Sequence, residues 1–134
     1  MNIEMFKKVK EQILAEPENF IMEVFHCDTA FCIAGWACII DRKETHDIDF
    51  CCSFYGSWES NGASILEISC EYDNPDLQHK ESQTNRLFYL SGWPEQFYKQ
   101  YEEIDRLNAE DKRQKLAEIA CARIDHFIAT NGRE

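Results

Sequence analysis

Residues 30–40 run Ala30-Phe31-Cys32-Ile33-Ala34-Gly35-Trp36-Ala37-Cys38-Ile39-Ile40, without one charged side chain. A membrane helix needs about 20 apolar residues, so this run is too short to span a bilayer. It is apolar on every side of a helical projection, which is the pattern of a helix buried in a protein core. Asp28 or Thr29 is placed to cap it. Glycine in a helix interior costs ~1 kcal/mol relative to alanine, so Gly35, among Ala30, Ala34 and Ala37, predicts the close approach of a neighbouring helix.

The chain on either side reads as further helices. Asn2 can cap a first helix to about Glu16, with Ile3, Phe6, Val9, Ile13 and Leu14 on one side and Pro17 as its stop. Ser82 caps a short helix containing Leu87, Phe88 and Leu90, closed by Gly92. Pro94 suits the first turn of the next, whose inner face carries Phe97, Tyr101 and Ile104. Asn108 opens a last helix, with Asp111 as capping-box partner. Leu116, Ile119, Ala120, Arg123, Ile124, Phe127 and Ile128 keep core spacing as far as the Asn131-Gly132 stop.

Residues 41–72 leave two readings open. Ile48, Phe50, Cys52 and Phe54 alternate with polar or small residues, as do Leu66, Ile68, Cys70 and Tyr72, which suggests a hairpin turning at 56–62. Residues Ala63 to Ile68 also fit a short helix capped by Asn61. The expected fold is therefore mainly α: a single compact domain over residues 1–134, of five or six helices, with a short β-hairpin around 47–72 as the alternative. Leu, Ile, Val and Phe supply 31 of the 134 residues, above the ~20% below which chains tend to stay disordered, so a packed core is within reach.

The segment from Cys27 to Cys38 resembles a family of small, largely uncharacterised bacterial and phage proteins whose shared core reads Cys-Gly-Thr-x-x-Cys-Ile-Ala-Gly-Trp-Ala. Phe20, Met22 and Phe25 match an upstream Phe/Met/Trp stretch of that family. Leu87-Phe88 with Trp93-Pro94 match a later signature, and Ala120, Arg123, Ile124, Phe127 and Ile128 match its last helix. The resemblance implies a helix near 63–68 and a bacterial or phage origin, but no activity. The family's glycine after the first cysteine is Asp28 here, which counts against a tight backbone approach to a ligand at that point.

Charge narrows the function. Asp and Glu number 25 against 14 Lys and Arg, a net charge of −11. Phosphate binding is driven by Lys and Arg, so direct contact with nucleic acid is disfavoured, as is an anionic membrane surface. No basic-then-apolar leader opens the sequence, so a cytoplasmic location is expected, with the seven cysteines reduced and mostly buried. Between Glu44 and His79 there are acids but no Lys or Arg. Such a tract is either a solvated face or a surface complementary to a basic protein. Trp58 stands in it between Gly56 and Gly62, and Trp is over-represented among interface anchors. Asp47, Asp49, Trp58 and Glu59 are thus the candidate partner-binding residues.

Chemistry has thinner support. Nucleophile-elbow, zinc-protease, dinucleotide and phosphate-loop motifs are absent, so no catalytic residue is assigned. Cys27 and Cys32 lie within the loose spacing of a zinc pair, with His26 beside them, but no second pair follows, and no cofactor is expected. Cys27, just ahead of the Asp28/Thr29 cap, is the cysteine best placed for thiolate stabilisation by a helix N-terminus. The preferred reading is a non-catalytic acidic binding or inhibitory module acting on a cytoplasmic protein with a basic surface. The competing reading is a small-molecule or metal pocket lined by His26, Cys27, Cys32 and Trp36, with a thiol-dependent enzyme behind it.

Overall fold

A computed structural model describes residues 1–22, 26–27, 30–45, 57–70 and 82–134. Its helices are α1 (Ile3–Ala15), α2 (Ile33–Thr45), α3 (Ser57–Leu66), α4 (Gln83–Phe88), α5 (Glu95–Arg106) and α6 (Lys112–Ala129). Two-residue strands β1 (His26–Cys27) and β2 (Ala30–Phe31) precede α2. The protein is mainly α-helical. None of these helices, among the described residues, is long and apolar enough to cross a membrane.

The first helix forms where the capping residue predicts. The Asn2 side chain accepts a hydrogen bond from the Met5 amide at 3.1 Å, satisfying one of the amides that a helix start leaves without a partner. Its inner face is Met5, Phe6, Val9 and Ile13. Ile3 and Leu14, expected on that face, are exposed.

The central helix starts later than the sequence suggests. Ala30 and Phe31 are extended: β2 pairs antiparallel with β1, setting Cys27 opposite Ala30 and His26 opposite Phe31. Phe31 is engaged on its other side as well, where its carbonyl accepts from the Ile21 amide at 3.1 Å. These bonds use backbone groups that a helix from Ala30 would have needed, so the ladder prevails over helix propensity there. The helical ladder begins when the Cys32 carbonyl accepts from Trp36 N–H at 2.9 Å. From Cys32 to Cys38 every residue is buried, as the all-round apolar pattern predicts.

α3 settles the open reading at 57–66. These residues are helical, including most of the stretch that the hairpin would have used as its turn. The first hairpin limb, at 47–54, lies outside the described residues. α3 packs on α2 at small residues: a Cβ placed on Gly62 would lie 3.1 Å from the Ala34 Cβ. The close approach of α3 to the buried run falls at Ala34 and Gly62, whereas the expectation rested on Gly35.

In the last third the Ser82 hydroxyl accepts from the Asn85 amide at 3.1 Å, capping α4. Pro94 occupies the N-cap of α5 instead of its first turn. α6 begins at Lys112, four residues after Asn108, and Asp111 makes no side-chain capping bond. Its end is a Schellman motif: Gly132 N–H donates to Phe127 at 2.8 Å and Asn131 N–H to Ile128 at 3.0 Å. Asn131 (φ 54°) and Gly132 (φ 67°) both take the left-handed conformation. A core of Phe6, Phe20, Trp36, Leu66, Phe88 and Phe127, with their neighbours, joins α1, α2, α3, α4 and α6; burying side chains of this size contributes about 1.5–3 kcal/mol each.

Candidate functional site

Among the described residues, two places bring chemistry-bearing side chains together. The first lies where β2, α2 and α3 meet. Trp36, on the first turn of α2, is buried, and the half-buried Phe31 ring lies 4.9 Å from it, centroid to centroid, at 58°. Trp58, in the first turn of α3, rests 6.3 Å beyond Phe31 at 42° and is itself half-buried. The three rings form a staircase from the core towards the surface. Tilted aromatic pairs at such spacings contribute beyond their buried area. The Trp58 carbonyl also accepts a weak bond from Cys38 Sγ at 3.7 Å, tying the start of α3 to α2.

Cys32 stands at the foot of this staircase, immediately before α2. Its sulfur accepts from the Gly35 amide at 3.5 Å. The cysteine at a helix N-terminus is therefore Cys32, three residues past the expected Asp28/Thr29 cap, and not Cys27. The helix terminus does not make it a thiolate. Burial raises the thiol from an ordinary 9.0 to about 11, and the amide hydrogen bonds offset only part of that. The Trp36 indole N–H is buried with no hydrogen-bond partner.

Of the other candidates named from the sequence, the backbones of His26 and Cys27 form β1, but their side chains, like Asp47 and Asp49, lie outside the described residues. Glu59 is placed elsewhere than expected. It is 4% exposed, on the inner side of α3, and its Oε2 accepts from the Tyr89 hydroxyl at 2.6 Å. A buried acid holding a tyrosine is a packing element, so Glu59 is not part of a surface for partners. Sequence position could not reveal this, because it is the helical phase of α3 that turns Glu59 inward. Among the described residues, no three His, Cys, Asp or Glu side chains converge in a way that could hold a metal ion.

The second place was not anticipated. Arg123, on α6, is fully buried. Its Nη2 donates to the Arg86 carbonyl at 2.8 Å and also to Glu134 Oε1, while its guanidinium lies 5.5 Å from the Phe127 ring centre and 5.8 Å from that of Phe97. Burial lowers its pKa, and the Glu134 carboxylate opposes that shift. Glu134 Oε2 lies 3.1 Å from His126 Nε2, in a cleft of about 700 Å³ that Asn85, Arg86, Ser91 and Trp93 also line. The signal was present in the sequence: Arg123 occupies a core position in the 116-120-123-127 row, and a charge there is rarely buried unless paired.

Neither protein-family models nor curated proteins nor solved structures give a match to this chain. What the described residues define is a mainly α-helical fold, six α-helices among them, with an aromatic staircase at one place and a basic-walled cleft at another.

Proposed function

We propose that the protein is a non-catalytic binding module that docks on a cytoplasmic protein with a basic surface, in the manner of an inhibitor carried by a phage or another mobile element. The observation that carries this reading is the placement of Trp58. Its ring is half-buried and braced by Phe31, which is braced in turn by Trp36 in the core. An aromatic anchor held in place before binding loses little freedom on docking, which is what favours Trp at the centre of interfaces. The net charge of −11 supplies the complementary field, and steering by such a field acts chiefly on the association rate. Asp47 and Asp49 are the acids assigned to that role; Glu59 is not.

Thiol chemistry at Cys32 or Cys121 is a poor competitor, since burial keeps both protonated with pKa values of about 11. The second reading, a ligand pocket at His26, Cys27, Cys32 and Trp36, draws on the unpartnered Trp36 indole N–H. It is opposed at Cys32, because a metal ligand must be a thiolate.

The test is capture of partners from cytoplasmic extract at low and at physiological salt, followed by binding kinetics on each captured protein. Trp58→Ala is expected to speed dissociation about 30-fold, equivalent to a loss of about 2 kcal/mol. Neutralising Asp47 and Asp49 is expected to slow association and flatten its salt dependence. A captured protein whose kinetics ignore all three substitutions, or no capture at either salt, overturns the reading. Native mass spectrometry separates the alternative, since a retained metal or small molecule appears there as added mass.

A further inference from the structure

We infer that the cleft between α4, the start of α5 and the end of α6 is a carboxylate-binding site, in which the side chain of Glu134 acts as a tethered stand-in for a small carboxylate ligand. Two basic residues meet at this one acid and a third lines its cleft, in a chain whose net charge is −11. Arg123 reaches Glu134 Oε1 from inside the core, His126 Nε2 stands 3.1 Å from Oε2, and Arg86 lines the same cleft. Arg123 is fully buried, yet its Nε and Nη1 have no hydrogen-bond partner. Glu134 Oε2 likewise makes no well-aligned hydrogen bond despite its closeness to His126. A guanidinium offers a planar fork suited to two carboxylate oxygens, and here one arm is used. Glu134 therefore satisfies the site only in part.

The acid is held through its side chain and not by a helix. It follows the Schellman turn, whose carbonyls are pinned by Arg86 Nη1 to Gly132 at 3.1 Å and by Gln83 Nε2 to Asn131 at 3.3 Å. Those bonds fix the backbone as far as Gly132, and beyond it the Glu134 side chain is held by its contacts with Arg123 and His126. The space is far larger than a carboxylate requires. About 700 Å³ falls within the range of small-molecule sites, and its further wall offers the Trp93 and Pro94 rings with Asn85 and Ser91 as polar groups. A small carboxylate with a short body that reaches this wall fits the chemistry. This site is separate from the Trp58 surface and does not depend on it.

The experiment uses the whole chain and two variants, Glu134→Ala and Glu134→Gln, titrated with succinate, with its uncharged diamide, with inorganic phosphate and with sodium chloride at matched ionic strength. Melting temperature and tryptophan fluorescence are the readouts. Vacating the site is expected to lower the melting temperature of Glu134→Ala. Succinate is then expected to restore it saturably and to bind at least tenfold more tightly than to wild type, which still carries its tethered competitor. The diamide and chloride are expected to have no such effect. If Glu134→Ala does not fold, the same titration of Glu134→Gln decides, because the carboxamide preserves the shape while giving up the charge. Equal succinate affinity in wild type and variants, or no saturable response, overturns the proposal. Phosphate binding as tightly as succinate would overturn the carboxylate assignment in favour of a general anion site.

Discussion

Gly62 of α3 faces Ala34 of α2 so closely that a Cβ added to Gly62 would lie 3.1 Å from the Ala34 Cβ, 3.3 Å from its Cα and 3.3 Å from Phe88 Cζ. The contact sets how near the two helices can pack, and one of its partners is backbone, which cannot swing aside. Gly62→Leu is expected to destabilise the fold by about 1–3 kcal/mol through overpacking. Gly62→Ala should be far milder, since the ~1 kcal/mol gain in helix propensity offsets much of the crowding. Urea unfolding of the two variants checks the ordering. A Leu variant as stable as wild type would show that the helices are not in contact there.

Glu59 and Tyr89 form a second link across the helices. Glu59 Oε1 is buried without a hydrogen-bond partner, so its bond to the Tyr89 hydroxyl through Oε2 is the polar contact seen for this carboxylate. Tyr89→Phe is expected to cost about 1–3 kcal/mol, because it strips that bond from an acid that stays buried. Replacing both residues, Glu59→Met with Tyr89→Phe, should cost less than the sum of the single changes. A thermal-unfolding double-mutant cycle measures the difference, and strict additivity would mean the bond contributes nothing.

The thiols carry a pH dependence whose sign follows from burial. Cys32 and Cys121 are both raised from 9.0 to about 11, with desolvation the leading cause. The unfolded chain releases these protons near pH 9 while the folded chain keeps them. The stabilisation they give is therefore fully present below pH 9 and lost as pH rises towards 11. Chemical denaturation between pH 8 and 10.5 should show stability falling across the upper half of that range. Alkylation gives a second readout: at pH 8 a thiol at about 11 holds about a hundredfold less thiolate than one at 9.0, and the thiolate is the nucleophile. Cys32, Cys38, Cys70 and Cys121 are all buried, and should label only after denaturant is added. Fast labelling of any of the four would contradict the packing.

How far these features could be read in advance depended on whether local sequence controlled them. The Asn2 and Ser82 caps, the buried 32–38 run and the Asn131-Gly132 stop are set by a few neighbouring residues, and they appear where the pattern puts them. The start of α2 was misplaced because Phe31 is drawn into bonds with Ile21 and with β1, partners that residues 30–40 alone do not disclose. Glu59 went astray for a related reason: an acid in an acidic tract looks solvated until α3 turns it towards Tyr89. The cleft at Glu134, with Arg123 behind it, is assembled from α4, the start of α5, α6 and the residues after it. Only its buried arginine left a mark in the sequence, as a charge in an apolar row.

That arginine gives the sharpest test of the fold's polar interior. Its guanidinium lies near the Phe97 and Phe127 rings while Nη2 serves both the Arg86 carbonyl and Glu134. Lysine keeps the charge but not the planar fork, so it cannot repeat that geometry against the two rings. Arg123→Lys is expected to destabilise by about 3 kcal/mol, in the range seen when a buried ion pair loses a matched partner. Arg133→Lys, at an exposed position in the same segment, should change stability by no more than about 0.5 kcal/mol. Urea unfolding monitored by tryptophan fluorescence compares the two, with Trp93, close to the cleft, among the reporters. Equal stability in the two variants would show that charge alone, and not the shape of the guanidinium, holds α6 to the α4 backbone.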